Sequence, residues 1–193
     1  MGCGTGLLNA VVWRSGHLPL DKPIGLPRHV FRLKWLLRDV MRIILASDHR
    51  GLDVRTTILE YLQTLPEHTV FLVDEHLSEH ADYPDIAAKV AQSVSLGEFD
   101  CGILICGTGI GTCVVANKFP GVRATPCHNE VVAELSRKHN DSNVLCLSGD
   151  LLGERSSVAV VAIWLTTPFE GNRHSVRLEK IRQFERINYA HGS

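Results

Sequence analysis

Residues 101–119 read CGILICGTGIGTCVVANKF. Six residues of apolar and small character run without a polar break into Gly107, Gly109 and Gly111, and a helical stretch follows from about 109 to 118. A continuous apolar run bounded by glycine reads as a strand buried on both faces, not as one with a wet side. The same grammar recurs on either side. RIILAS (42–47), TVFLVD (69–74), GVRATPC (121–127) and SNVLCLSG (142–149) are the other candidate strands. Between and after them lie helical patterns at 52–65, 82–98, 129–139, 154–167 and 172–188. Pro84 fits the first turn of its helix. Strands that alternate with helices predict an α/β fold: three layers, Rossmann-like, with a five-stranded parallel sheet and helices on both faces.

In such folds ligands bind at the carboxyl ends of the strands. The residues to inspect are therefore Asp48 and His49 after the first strand, Cys106 to Gly111 after the third, and His128 after the fourth. The glycines do not make a dinucleotide fingerprint, because Gly107, Gly109 and Gly111 are too closely spaced and follow the third strand. No Gly-Lys-Ser/Thr occurs, which excludes a Walker loop. What remains is a nest of amides before a helix, suited to a phosphate or to a transient oxyanion. Cys106 stands at its mouth. Helix N-termini favour thiolate over thiol, which makes this sulfur a candidate reactive group.

The bulk numbers narrow the classes. A chain of 193 residues with 45% hydrophobic and 21% charged residues fits a soluble globular domain. A net charge of -1 gives no electrostatic case for nucleic acid or for an anionic membrane surface. No apolar run approaches the ~20 residues of a membrane span. The six cysteines are dispersed with no CxxC pair, which argues against structural zinc and for a reduced, cytoplasmic setting. Residues 1–40 differ: they hold three of the eight prolines, no acid before Asp21 and no sustained period. They read as a disordered extension, or as residues upstream of a working start at Met41, with 41–193 as the functional domain.

Five segments, SDHRG, DYPDIA, GILICGTGIGTCVVANKFPGVRA, LSRKHNDSNVL and GNRHSVRLEKI, together resemble the type B ribose-5-phosphate isomerases. This sugar-phosphate isomerase family includes the galactose-6-phosphate isomerase subunits. The resemblance spans about 42–188. It implies interconversion of D-ribose 5-phosphate and D-ribulose 5-phosphate with neither metal nor cofactor.

It also implies roles. Cys106 is the base; another branch of the family carries a carboxylate nearby, and Ile110 and Thr112 leave none here. Thr108 hydrogen-bonds near the thiol. The backbone of Gly107, Gly109, Ile110 and Gly111 holds the developing charge. Asp48 and His49 orient sugar hydroxyls, and His139 opens the ring with Asn140 beside it. Arg173 and Arg177, four apart on one helical face, take the phosphate. His174 between them reads as peripheral. A homodimer, or a tetramer built from it, shares each site between subunits.

The chain departs from the family pattern after the fifth strand, where Asp150 replaces a common Arg. That carboxylate must point away from a phosphate, and Arg50 becomes a candidate replacement cation. The alternatives are a hexose-6-phosphate isomerase acting on allose or galactose phosphate, a phosphate-binding module without catalysis, and a redox sensor pairing Cys106 with Cys113 or Cys127.

Overall fold

The computed structural model describes residues 10–13, 40–73 and 82–190. Its strands are β1 (Ala10–Trp13), β2 (Arg42–Ser47), β3 (Thr69–Val73), β4 (Cys101–Cys106), β5 (Ala124–Pro126) and β6 (Val144–Ser148). They form one sheet in the order β1-β3-β2-β4-β6-β5. Every adjacent pair is parallel. The helices are α1 (Leu52–Gln63), α2 (Tyr83–Ser95), α3 (Ile110–Ala116), α4 (Glu130–Asn140), α5 (Glu154–Thr166) and α6 (Arg173–Ala190).

All five expected strands are present. The sixth, β1, comes from the amino-terminal stretch expected to be disordered, and it pairs with β3 from Ala10 opposite Val70 to Trp13 opposite Val73. Four residues of Ala-Val-Val-Trp are too few to show a period, although β-branched and aromatic residues suit a strand. The rest of residues 1–39 lies outside the described residues.

The unbroken apolar runs are explained by two cores. Ile43, Leu45, Ile103, Ile105, Leu145 and Leu147 point to one face, where Val54, Ile58, Ala133, Val160 and Trp164 of α1, α4 and α5 cover them. Ile44, Ala46, Leu104, Val144 and Cys146 point to the other, under Ile86, Val90 and Ala116 of α2 and α3. Neither set of alternating side chains meets water, so neither can be polar. At about 25 cal/mol per Å² of apolar surface, each fully buried Leu or Ile contributes roughly 1.5–3 kcal/mol.

The order of the strands positions the site. From β2 the chain moves outward to β3, then returns to place β4 on the other side of β2. The crevice between the carboxyl ends of β2 and β4 is thus the switch point of the sheet, where α/β folds bind ligands. Asp48 follows β2 and Cys106 ends β4.

Candidate active site

Cys106 is 4% exposed. Its Sγ accepts the Gly109 N–H at 3.2 Å and lies 3.5 Å from Thr112 Oγ1. Thr112 Oγ1 in turn donates to the Gly109 carbonyl at 3.2 Å. Bringing the Gly109 amide onto the sulfur requires the chain to turn left-handed, at φ 74°. A Cβ there would also lie 3.0 Å from the Leu147 carbonyl, so only glycine fits. The hydroxyl against the thiol is therefore Thr112, not Thr108. Thr108 is exposed, and its Oγ1 accepts the Ile110 N–H at 3.3 Å. A threonine inside a helix gives no sign of this in sequence.

The neighbouring loop is stitched to the glycine loop. Gly149 N–H donates to the Cys106 carbonyl at 2.8 Å, Ser148 Oγ to the Gly107 carbonyl at 2.6 Å, and Asp150 N–H to the same carbonyl at 3.1 Å. On the β2 side, Asp48 N–H donates to the Ile105 carbonyl at 3.1 Å. The Asp48 side chain is buried, and its Oδ1 accepts the Arg50 N–H at 2.9 Å. Desolvation raises the Asp48 carboxyl above the ordinary range, and the Arg50 amide and the His49 charge oppose this only in part. His49 and His128 are exposed.

Cys101 and Cys127 lie within the core. Burial raises the Cys101 thiol to about 12 and the Cys127 thiol to about 11. Both are core fillers.

Asp150 does not turn away. Its carboxylate forms a two-pronged ion pair with Arg50, with Nη2 2.5 Å from Oδ2 and Nε 3.2 Å from Oδ1. The carboxylate at position 150 is thus paired with the guanidinium at position 50.

His139, Asn140, Arg173 and Arg177 lie elsewhere. α4 starts beyond the carboxyl end of β5 and runs back to the opposite edge of the sheet, where residue 144 opens β6. Gly102 N–H donates to the Asn143 carbonyl at 2.9 Å, which fixes that loop at the beginning of β4. The four residue steps of β4 from Gly102 to Cys106, roughly 13 Å at ~3.3 Å per residue, separate it from the thiol.

α6 begins beside that loop: Glu170 N–H donates to the Lys138 carbonyl at 3.1 Å. The His139 and His174 rings stack at 4.3 Å with planes 6° apart. His174 is 3% exposed, and so is a buried partner of His139 and not peripheral. Its Nε2 accepts the Arg173 Nε–H at 3.3 Å. Burial, His139, Arg173 and Arg177 hold the His174 imidazole below its ordinary value.

His139, Glu170 and His174 bring donor atoms within 4.8 Å of one another. Stacked rings aim their in-plane lone pairs past each other, and Arg173 occupies one of them. With Arg177 one turn on, the cluster suits an anion better than a metal cation. A cleft of about 500 Å³ lies apart from the thiol, between α6 and the β5 region, lined by Lys118, Val122, Arg123, Phe184 and Tyr189.

The family model described as Ribose/Galactose Isomerase matches residues 43–181. Ribose-5-phosphate isomerase B of Escherichia coli is 41% identical over 146 residues, 75% of this chain and 96% of that protein. The crystal structure of ribose-5-phosphate isomerase B from Mycoplasma genitalium with bound ribulose-5-phosphate is 40% identical. It has a TM-score of 0.72 and covers 75% of this chain and 96% of that one. D-erythrulose-4-phosphate isomerase of Pectobacterium atrosepticum is 34% identical, over 76% of this chain and 96% of that protein.

Proposed function

The chain belongs to the ribose/galactose isomerase family, and from that premise we propose that it interconverts D-ribose 5-phosphate and D-ribulose 5-phosphate through an enediolate, with Cys106 as the base. The observation that carries the proposal is the Cys106 sulfur itself, cradled by the Gly109 amide at the switch point of the sheet, with the buried Asp48 carboxylate one strand away. The reaction is an internal exchange: C2 is oxidised as C1 is reduced, so two proton transfers suffice and no metal or cofactor enters.

The furanose opens first. His139 takes the proton of the anomeric hydroxyl while the ring oxygen gains one, with Asn140 holding the sugar beside it. Cys106 Sγ then removes the hydrogen at C2. The enediolate oxygens meet the amides of Gly107 to Gly111. Two of those amides, on Gly109 and Ile110, are engaged with Cys106 Sγ and Thr108 Oγ1, and reach substrate by exchanging those partners. The exposed Thr108 hydroxyl, whose oxygen accepts the Ile110 N–H, keeps its own proton to donate to a substrate oxygen. Asp48 and His49 hold hydroxyls, the sulfur returns the proton to C1, and a proton passes between O1 and O2. Arg173 and Arg177 take the phosphate.

Within one chain these groups stand at opposite edges of the sheet, so the site is completed by a second copy. Apolar side chains support this. Among the described side chains of α6 only His174 and Leu178 are buried, while Ile181, Phe184 and Ile187 are 42%, 66% and 52% exposed. Residues 41–193 form the isomerase domain and residues 1–40 an extension that adds β1. No described helix is long and apolar enough to cross a membrane. The free, mostly buried cysteines favour a cytoplasmic enzyme.

The test is the purified full chain assayed for ribulose 5-phosphate formation, beside tetrose and hexose phosphates. Pocket contacts discriminate one carbon by only about 1–3 kcal/mol, so the panel is needed. Ribose 5-phosphate is expected to be turned over fastest. Cys106→Ala is expected to lose at least about a hundredfold in kcat. A fully active Cys106→Ala enzyme would exclude the sulfur as base.

A further inference from the structure

Arg50 and Asp150 are 100 residues apart in sequence and meet at the lip of the glycine loop. A Cβ placed on Gly107 would lie 2.9 Å from both Arg50 Nε and Asp150 Oδ2, so the pair rests directly on the backbone of the residue after Cys106. Both partners are held from behind. Arg50 N–H is fixed by Asp48 Oδ1 at 2.9 Å, and Asp150 N–H by the Gly107 carbonyl at 3.1 Å. The guanidinium carries five N–H donors. The fork to Asp150 engages Nε and Nη2. Nη1 has no acceptor among the described residues, and the Arg50 side chain keeps 56% of its surface exposed.

An exposed ion pair by itself adds at most about 1 kcal/mol of stability, which does not account for one built with this much backing. The carboxylate cancels the long-range charge of the guanidinium but leaves its directional donors in place. What such a group supplies to a nearby oxygen-rich ligand is a hydrogen bond of fixed direction.

We propose that Arg50 is a substrate contact, donating from its free N–H groups to an anionic or hydroxyl oxygen of the sugar phosphate, and that Asp150 is the positioning residue that aims it. This rests on reading the Cys106 loop as the sugar-phosphate site. The ion pair and Gly107 form one unit: the glycine leaves room for the pair, and the pair borders the space above the thiol.

Calorimetric titration of the full chain with ribose 5-phosphate, and separately with inorganic phosphate, tests this without requiring turnover. Arg50→Ala is expected to weaken ribose 5-phosphate binding about tenfold, roughly 1.4 kcal/mol, while the melting temperature barely moves. Arg50→Lys is expected to recover only part of the loss, because an ammonium lacks the fork. Asp150→Ala is expected to weaken binding several-fold, and the double variant to bind no worse than Arg50→Ala alone. If inorganic phosphate weakens in parallel, the oxygen contacted is the phosphate's. If it does not, the oxygen belongs to the sugar.

Binding within twofold of the parent in Arg50→Ala overturns the contact. Equal or tighter binding in Asp150→Ala overturns the positioning role. A parent that binds both ligands but forms no ribulose 5-phosphate sinks the proposed reaction and leaves this contact standing. A parent that binds neither sinks both.

Discussion

At the scale of single residues, the site keeps groups that a fold selected only for stability would not. Asp48 is the clearest. Its burial raises the carboxyl above the ordinary value, so the folded state disfavours the ionised form. The stability it contributes is therefore present below the unfolded value, near pH 3.9, and is lost as pH rises through the folded value. At neutral pH the charge is a net cost. Asp48→Asn keeps an oxygen for the Arg50 amide and removes that cost. It is expected to raise the melting temperature at pH 7 while lowering kcat/KM by about tenfold or more; a variant less stable than the parent would contradict the burial argument. Gly109→Ala should act in the opposite sense on stability. A left-handed alanine costs about 1–2 kcal/mol, its Cβ presses on Leu147, and the amide leaves the sulfur, so both the melting temperature and kcat are expected to fall. Cys106 and the glycine spacing are visible in sequence because they are local. Thr112 on the sulfur and Asp150 on Arg50 are not, since helix phase and a contact across 100 residues decide them.

At the scale of elements, five of the six strands were legible and the packing of α6 against α4 was not. Both faces of β2, β4 and β6 are covered, which leaves uninterrupted apolar runs that announce themselves. α6 has a polar sequence with apolar residues on several sides, so periodicity could not show that one histidine is its anchor. His174 stacks on His139 at the end of α4 and couples the two helices. Its imidazole is held low by burial and by His139 of α4 and Arg173 and Arg177 of α6, against the pull of Glu170. For a base held low, the unfolded chain takes up the proton first. The contribution to stability is intact above the unfolded value, about 6.5, and drains as pH falls through the folded value. Unfolding free energy is thus expected to fall as pH drops from 7 to 5, and His174→Phe, which keeps a flat ring against His139, is expected to flatten that fall. An unchanged pH profile in the variant would show that the stack does not titrate with folding.

At the scale of the whole molecule, the decisive fact is that the candidate groups divide between two edges of one sheet. Asp48, Cys106 and the glycine loop occupy the carboxyl edge, while His139 and the α6 arginines sit by the loop that precedes β6, where Gly102 N–H meets the Asn143 carbonyl. On the reading proposed above, they meet at one sugar only if a second copy supplies one of the two sets, and under a twofold axis whatever one copy presents to its partner it also receives. The arrangement makes a quantitative demand on mixtures. Cys106→Ala and His139→Ala are each expected to be inactive alone. If every site takes its sulfur from one chain and its imidazole from the other, a hybrid of the two variants has one doubly damaged site and one intact site. With random exchange of chains about half of the dimers are hybrids, and each carries one working site of two. Activity is then expected to return to about a quarter of the parent level. If each site instead lay within one chain, both sites of every hybrid would carry a single lesion and mixing would restore nothing. Chain exchange is monitored by mass spectrometry of the intact dimers. Hybrids that form fully and remain inactive would overturn the shared site.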